Sequence, residues 1–242
     1  MILFAFVLVL GMMEFFQLQT SQGIKPEKIS SLTAALAIYL LSALYAMGIL
    51  PATSLSVATL PVAGIFLVEL YRKHEQPFVN IAMSLMGIIY IALPLSLMHF
   101  FLFSEDNGFA FEPGKLTGLL VLIWVYDSFA YLTGISIGKH RLFERISPKK
   151  SWEGAIGGSI ACLTAAWFLA EKIGWINPDA WIWTAIIMII FGTYGDLVES
   201  LMKRSLNVKD SGSLLPGHGG ILDRFDALLF AIPAVWMLEM LL

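Results

Sequence analysis

The sequence predicts an all-α protein, a polytopic bundle of about eight transmembrane helices with a polar cavity facing the cytoplasm. Three observations predict it. Of the 242 residues 58% are apolar and only 14% charged, and the mean hydropathy is +0.79, far from the composition of soluble domains. The apolar residues gather in runs, each near the roughly 20 residues that a helix needs to cross a bilayer core. The basic residues collect between alternate runs, as the positive-inside rule requires of cytoplasmic loops.

The first run, residues 1 to 18, begins at Met1 with no basic segment and no small-residue cleavage site. It therefore reads as a membrane helix that the mature chain keeps, not as a signal peptide. The others cover residues 31 to 50, 54 to 71, 79 to 103, 116 to 138, 153 to 171, 180 to 199 and 225 to 242, parted by polar or Pro/Gly-containing stretches. No linker separates them, so residues 1 to 242 read as a single integral-membrane domain. If the runs alternate in direction, the stretches 19 to 30, 72 to 78, 139 to 152 and 200 to 224 share one side. That side holds thirteen of the 15 Lys and Arg residues, with Lys115 and Lys172 opposite. It is expected to be the cytoplasmic side of a bacterial inner membrane, with both termini facing outward. The lipid bilayer is thus an expected partner, and nucleic acid is not. The single cysteine, Cys162, lies in an apolar stretch; it excludes a disulfide framework and reads as a small buried apolar residue.

Topology accounts for Lys25, Lys28, Arg72 and Lys73. Glu14 and Glu69 lie within a turn or so of the expected cytoplasmic boundary and are expected to reach water. Asp127 is different, because it sits well inside the run LLVLIWVYDSFAYLTGISIGKH. A carboxylate at that depth costs about 3 kcal/mol or more, so it marks a polar cavity or, failing that, a helix–helix hydrogen bond. Ser128 flanks it, and Tyr131 and Gly134 follow at i+4 and i+7 on the same face. Gly134 with Gly138, and Gly154 with Gly158, place small residues four apart, which permits close helix packing within the molecule or in a homodimer.

The densest polar stretch runs from Gly195 to Asp226, GDLVESLMKRSLNVKDSGSLLPGHGGILDRFD. Asp196, Ser200 and Lys203 repeat at i, i+4 and i+7, with Glu199 beside them and Arg204 extending the basic end. Lys209, Asp210 and Ser211 follow, then Pro216, Gly217, His218, Gly219 and Gly220, whose small residues let backbone N–H groups approach a phosphate. Asp223 and Asp226 share one face near the start of the last helix, where negative charge is favoured and a cation can be held. Carboxylates without Cys or paired His suit a hard cation such as Mg²⁺. Together with Lys and Arg they point to phosphoryl or nucleotidyl transfer, in which positioning and charge neutralisation do most of the work. The glycine loop is not a Walker motif, since GxxxxGK[ST] is absent and no strand precedes it.

With those residues laid out, the stretch from Ser200 to Asp226 resembles the signature of the phosphatidate cytidylyltransferases, the CDP-diacylglycerol synthases. The resemblance is carried by Ser200, Lys203, Arg204, Lys209, Asp210, Gly212, His218, Gly219, Gly220, Asp223, Arg224 and Asp226. A second block, within Asp127 to Gly158, includes Ala130, Tyr131, Gly134, Gly138, Lys139, Ser147, Pro148, Lys149, Lys150, Trp152, Glu153 and Gly154. Residues 1 to 110 resemble the family in hydropathy alone, and family members usually carry an additional apolar segment before the equivalent of Glu14. The resemblance implies CTP and phosphatidate as substrates, CDP-diacylglycerol and pyrophosphate as products, and Mg²⁺, with a second cation allowed for. It implies Asp196, Asp223 and Asp226 as the metal site, with Lys203, Arg204, Lys209 and Arg224 neutralising phosphate charge. Asp127, Ser147, Lys149, Lys150, Ser200, Asp210, His218, Gly219 and Gly220 are then expected to contact substrate. The rival from another class is a transporter or channel built around Asp127.

Overall fold

The computed structural model describes residues 1–104, 108–173, 178–208, 211–212 and 219–241. Among them the chain forms eight helices, α1 Ile2–Thr20, α2 Lys28–Ala46, α3 Ala52–Arg72, α4 Pro77–Leu102, α5 Pro113–Ile137, α6 Trp152–Ile173, α7 Pro178–Ser205 and α8 Leu222–Glu239. The helix α3 opens with a 3-10 turn over Ala52–Ala58, and α4 widens to a π-helix over Ile88–Ala92. That widening directly precedes Pro94, whose ring and missing N–H interrupt a regular α-helical ladder. Seven of these helices are long and apolar enough to cross a membrane. The exception, α8, carries Asp223, Arg224, Asp226 and Glu239 within its 18 residues.

The non-helical elements are short. Strands β1 Phe103–Ser104 and β2 Ala110–Phe111 pair antiparallel, as do β3 Arg141–Phe143 and β4 Ser147–Ser151. The segment 139 to 152, read from sequence as a loop, is thus a hairpin, with Arg141 opposite Ser151, Phe143 opposite Ser147 and an irregularity between them.

The chain divides into two compact units, Met1–Phe111 with Leu206–Phe225, and Glu112–Ser205 with Asp226–Leu242. In the first unit, Leu8, Met12, Phe15 and Phe16 of α1 are buried, along with Ala34, Ala35 and Tyr39 of α2 and Ile91, Leu95, Met98 and Phe101 of α4. The Glu27 carboxylate caps α2 by accepting from the Ser30 N–H, while the Glu27 N–H donates to Ser84 Oγ of α4 at 2.8 Å. Glu69 does not reach water as expected. It is buried, accepts from Arg72 at 2.7 Å and from Asn80 Nδ2 at 2.6 Å, and so ties α3 to α4.

In the second unit, Leu122 and Tyr126 of α5, Cys162, Ala166, Leu169 and Ala170 of α6 and Trp181 and Ala185 of α7 form one apolar cluster. Cys162 is the buried apolar residue its surroundings predict. Trp181 is fully buried with its indole against Gly118, where no side chain would fit. Lys115 is buried too, held by Glu112 at 3.4 Å and Glu239 at 2.5 Å.

Candidate functional site

Packing of small residues sets the spacing of the polar ones. A Cβ at Gly154 would stand 2.7 Å from the Ala130 carbonyl oxygen, and one at Gly158 would stand 2.8 Å from that of Tyr126. The glycines spaced four apart therefore let α6 lie against α5 within the molecule. Gly195 does the same for α7 and α8, since a Cβ there would meet the Asp226 carbonyl oxygen and Phe230 Cβ, each at 2.7 Å.

These approaches bring four of the expected site residues of the second unit to one place. Asp127 from α5, Lys150 from β4, Asp196 from α7 and Asp226 from α8 line a cavity of about 30 Å³, enough for a water or a single ion. Tyr126 and Thr193 stand beside them with their hydroxyls 2.6 Å apart. The Lys150 ammonium pairs with the Asp196 carboxylate, and Ser200 Oγ donates to Asp196 Oδ1 at 3.3 Å. Asp226 Oδ1 accepts from the Ala227 N–H at 2.8 Å. Asp127 makes no helix–helix hydrogen bond among the described residues; its carboxylate opens onto the cavity.

A wider cavity of about 690 Å³ adjoins this one. It carries Asp127, Tyr131, Gly134 and Gly138 along one face of α5, and Arg141, Lys149 and Lys150 from the hairpin. Three cations beside Asp127 and Asp196 leave it net positive, which suits a phosphorylated ligand. Glu153 at the start of α6 fixes the entry to the hairpin, accepting from the Lys139 N–H at 3.1 Å and from His140 Nδ1 at 2.6 Å. Ser147, the first residue of β4, lines neither cavity.

Elsewhere on α7, Lys203 bonds to Glu199 at 2.9 Å, and Glu199 is 1% exposed. Arg204 is exposed near the helix end. Asp223, Arg224, Gly219 and Gly220 belong to the first unit. Asp223 Oδ2 accepts from the Gly220 N–H at 2.8 Å and from the N–H and hydroxyl of Ser211, each at 3.0 Å. Gly219 has φ of 81°, the left-handed region that glycine adopts without strain. Arg224 is exposed. Lys209, Asp210, Pro216, Gly217 and His218 lie outside the described residues.

One expectation fails here for a plain physical reason. Glu14 was expected to reach water, yet it is 2% exposed. Its oxygens accept from the Ile221 N–H at 2.9 Å, the Leu222 N–H at 3.1 Å and Ser211 Oγ at 3.3 Å. Distance from a membrane boundary along one helix does not reveal that a segment 200 positions later supplies the donors. The residues that sequence reasoning passed over are Glu14, Tyr126, Arg141 and Thr193. Glu14 left a signal as a carboxylate in an otherwise apolar run, and Arg141 one as a cation in a basic stretch, read there as topology alone.

Oxygen donors from Asp127, Asp196 and Asp226 suit a hard cation. They are not preassembled for one. Among the described residues no three His, Cys, Asp or Glu side chains stand close enough to hold an ion, and Lys150 sits against Asp196. A Mg²⁺ ion asks less of a protein, one or two carboxylates with water and phosphate oxygens completing the shell. The donor chemistry fits the ion on that basis.

Comparison with known proteins gives two findings. The profile of the Cytidylyltransferase family matches residues 1–242. The chain is also similar to proteins named phosphatidate cytidylyltransferase. It is 38% identical over 163 residues to the one from Staphylococcus aureus (strain COL). The figures are 39% for Staphylococcus haemolyticus (strain JCSC1435) and 36% for Staphylococcus epidermidis (strain ATCC 12228 / FDA PCI 1200). Each match covers 66% of this chain and spans 60% of the relative's own length.

Proposed function

The chain belongs to the Cytidylyltransferase family, and on that premise we propose that it transfers CMP from CTP to phosphatidate in phospholipid biosynthesis. The observation that supports this reading is the convergence of Asp127, Lys150, Asp196 and Asp226 on one cavity, beside a larger one carrying Arg141 and Lys149. In the proposed step an oxygen of the lipid phosphate attacks the α-phosphorus of CTP. The bond from that phosphorus to the oxygen bridging the β-phosphate breaks, and pyrophosphate leaves with the electron pair, giving CDP-diacylglycerol. A phosphate monoester, with a second pKa of about 6, is largely a dianion at neutral pH and needs no protein base. Lys150, Lys149 and Arg141 then serve to hold and neutralise phosphate oxygens, a task that Lys203, Arg204, Lys209 and Arg224 are proposed to share. Mg²⁺ held by Asp196 and Asp226 would supply further neutralisation of charge on the transferring phosphate; Asp223 remains among the proposed cation ligands, with room for a second cation. The reading places the protein in a bacterial inner membrane with its basic side and cavity toward the cytoplasm. Nothing in the comparisons favours a transporter.

The test uses the purified protein in detergent with phosphatidate, labelled CTP and Mg²⁺, following label into the organic phase. Samples with EDTA and with Asp226→Asn run in parallel. Lipid-soluble label that needs Mg²⁺ and falls away in the variant supports both the reaction and the ligand. Folded wild-type protein that leaves all label in water, with fresh phosphatidate and a range of Mg²⁺, refutes the reading.

A further inference from the structure

We propose that Glu14 is a positioning residue for the transfer step, the anchor that fixes Ser211 and Gly212 against Gly220 and the first turn of α8; this rests on the reaction proposed above. The Ile221 and Leu222 N–H groups stand at the start of α8, where a helix has no internal acceptor for them. Glu14 accepts from both, Oε1 from Ile221 and Oε2 from Leu222, and its charge meets the positive end of the helix dipole. Asp223 grips the same segment from the helix side through Gly220 and Ser211. The Ser211 hydroxyl lies between the two carboxylates, 3.3 Å from Glu14 Oε2 and 3.0 Å from Asp223 Oδ2. Two carboxylates therefore hold Ser211 and the 220–222 backbone, and Asp223 is oriented by the Ser211 and Gly220 donors beside Glu14.

The glycines report the same constraint independently. A Cβ on Gly212 would stand 2.7 Å from Glu14 Oε1, and one on Gly220 would stand 2.6 Å from Glu14 Oε2. The backbone at Gly212 comes down on the carboxylate itself, and that at Gly220 on the Ser211 hydroxyl first and the carboxylate next, which accounts for small residues at these two positions of the signature. The Glu14 carboxylate is met by N–H and O–H donors, and no Lys or Arg pairs with it among the described residues. Such a site rejects a glutamine, whose NH₂ would face donors.

The experiment compares wild type with Glu14→Gln, Glu14→Ala, Gly212→Ala and the double variant Glu14→Ala/Gly212→Ala. It reads kcat and KM for CMP transfer, with amide hydrogen exchange across the chain. Displacing a catalytic segment by an ångström costs on the order of 100-fold. In Glu14→Gln kcat is expected to fall by about that factor with KM changed little, because the Glu14 oxygens are taken up by the Ile221, Leu222 and Ser211 donors. Exchange at residues 219–223 quickens by about tenfold while α2 to α4 keep wild-type rates. Gly212→Ala lowers kcat in the wild type and adds nothing in Glu14→Ala, since the clash needs the carboxylate. A wild-type kcat in Glu14→Gln overturns the proposal, and so does a loss of rate that merely tracks exchange rising everywhere. If the wild type transfers no label, the reaction assignment fails, while the exchange data still decide whether Glu14 holds the segment.

Discussion

Replacing Gly154 by Ala adds one methyl group where α6 meets α5, and the structure fixes what that group encounters. Its carbon would lie 2.7 Å from the Ala130 carbonyl oxygen and 3.2 Å from Gly134 Cα. Ordinary contact at the first of these needs the helices to part by about 0.7 Å. Helix propensity alone makes Gly→Ala favourable by about 1 kcal/mol, whereas overpacking typically costs about 1–3 kcal/mol. The net expectation is a loss of about 0 to 2 kcal/mol. Gly64 in α3 is the internal control, since nothing lies within 4 Å of where its Cβ would be, and Ala there keeps the propensity gain. The parting would also separate Asp127 on α5 from Lys150 on the strand leading into α6, lowering the proposed CMP transfer by up to about 100-fold. Thermal unfolding in detergent and the labelled-CTP assay, run on both variants, read the two effects. A Gly154→Ala protein as stabilised as Gly64→Ala and transferring label at the wild-type rate would refute the packing argument.

Three further outcomes follow from the same geometry. Lys150→Met is expected to lower kcat by about 10²–10³, the usual loss when one charge-stabilising group leaves a reaction centre. Because Lys150 and Asp196 are each about a third exposed, its melting point should shift by the equivalent of about 1 kcal/mol or less, and Lys150→Arg should recover part of the rate. Lys203→Met removes the ammonium bonded to the buried Glu199; a destabilisation of about 1–3 kcal/mol is expected, partly relieved in Lys203→Met/Glu199→Gln, as melting curves of the two will tell. If the proposed Mg²⁺ site holds, Asp196→Asn should raise the Mg²⁺ concentration for half-maximal transfer by about tenfold or more, and an unchanged Mg²⁺ titration removes Asp196 from the proposed ligands.

The sequence by itself determined the helices and the contacts within them. Length and apolarity of a run are local properties, and a bilayer-spanning helix satisfies its own backbone, so the expected spans fall within a few residues of α1 to α8 except at the end of α7, which runs on to Ser205, and α8 is the one expected span not apolar enough to cross a membrane. Spacing along one helix was equally legible: Ser200 bonds Asp196, and Lys203 bonds Glu199, each four residues apart. The spaced glycines foretold close packing, and the structure placed it between α5 and α6. The hairpin at 141–151 was missed because Ser-Pro-Lys-Lys-Ser offers no alternation, and its pairing depends on α5 and α6 bringing its ends together. Tertiary structure alone decided that Lys150 pairs with Asp196 at the cavity lined by Asp127, Asp196 and Asp226, which come from three different helices. It alone decided that Glu14 meets Ser211, 197 positions away. Pattern along a chain reports which face a residue occupies on its own helix; which partner lies opposite is set by how helices pack, through glycines and apolar side chains that carry no label for the contact they will make.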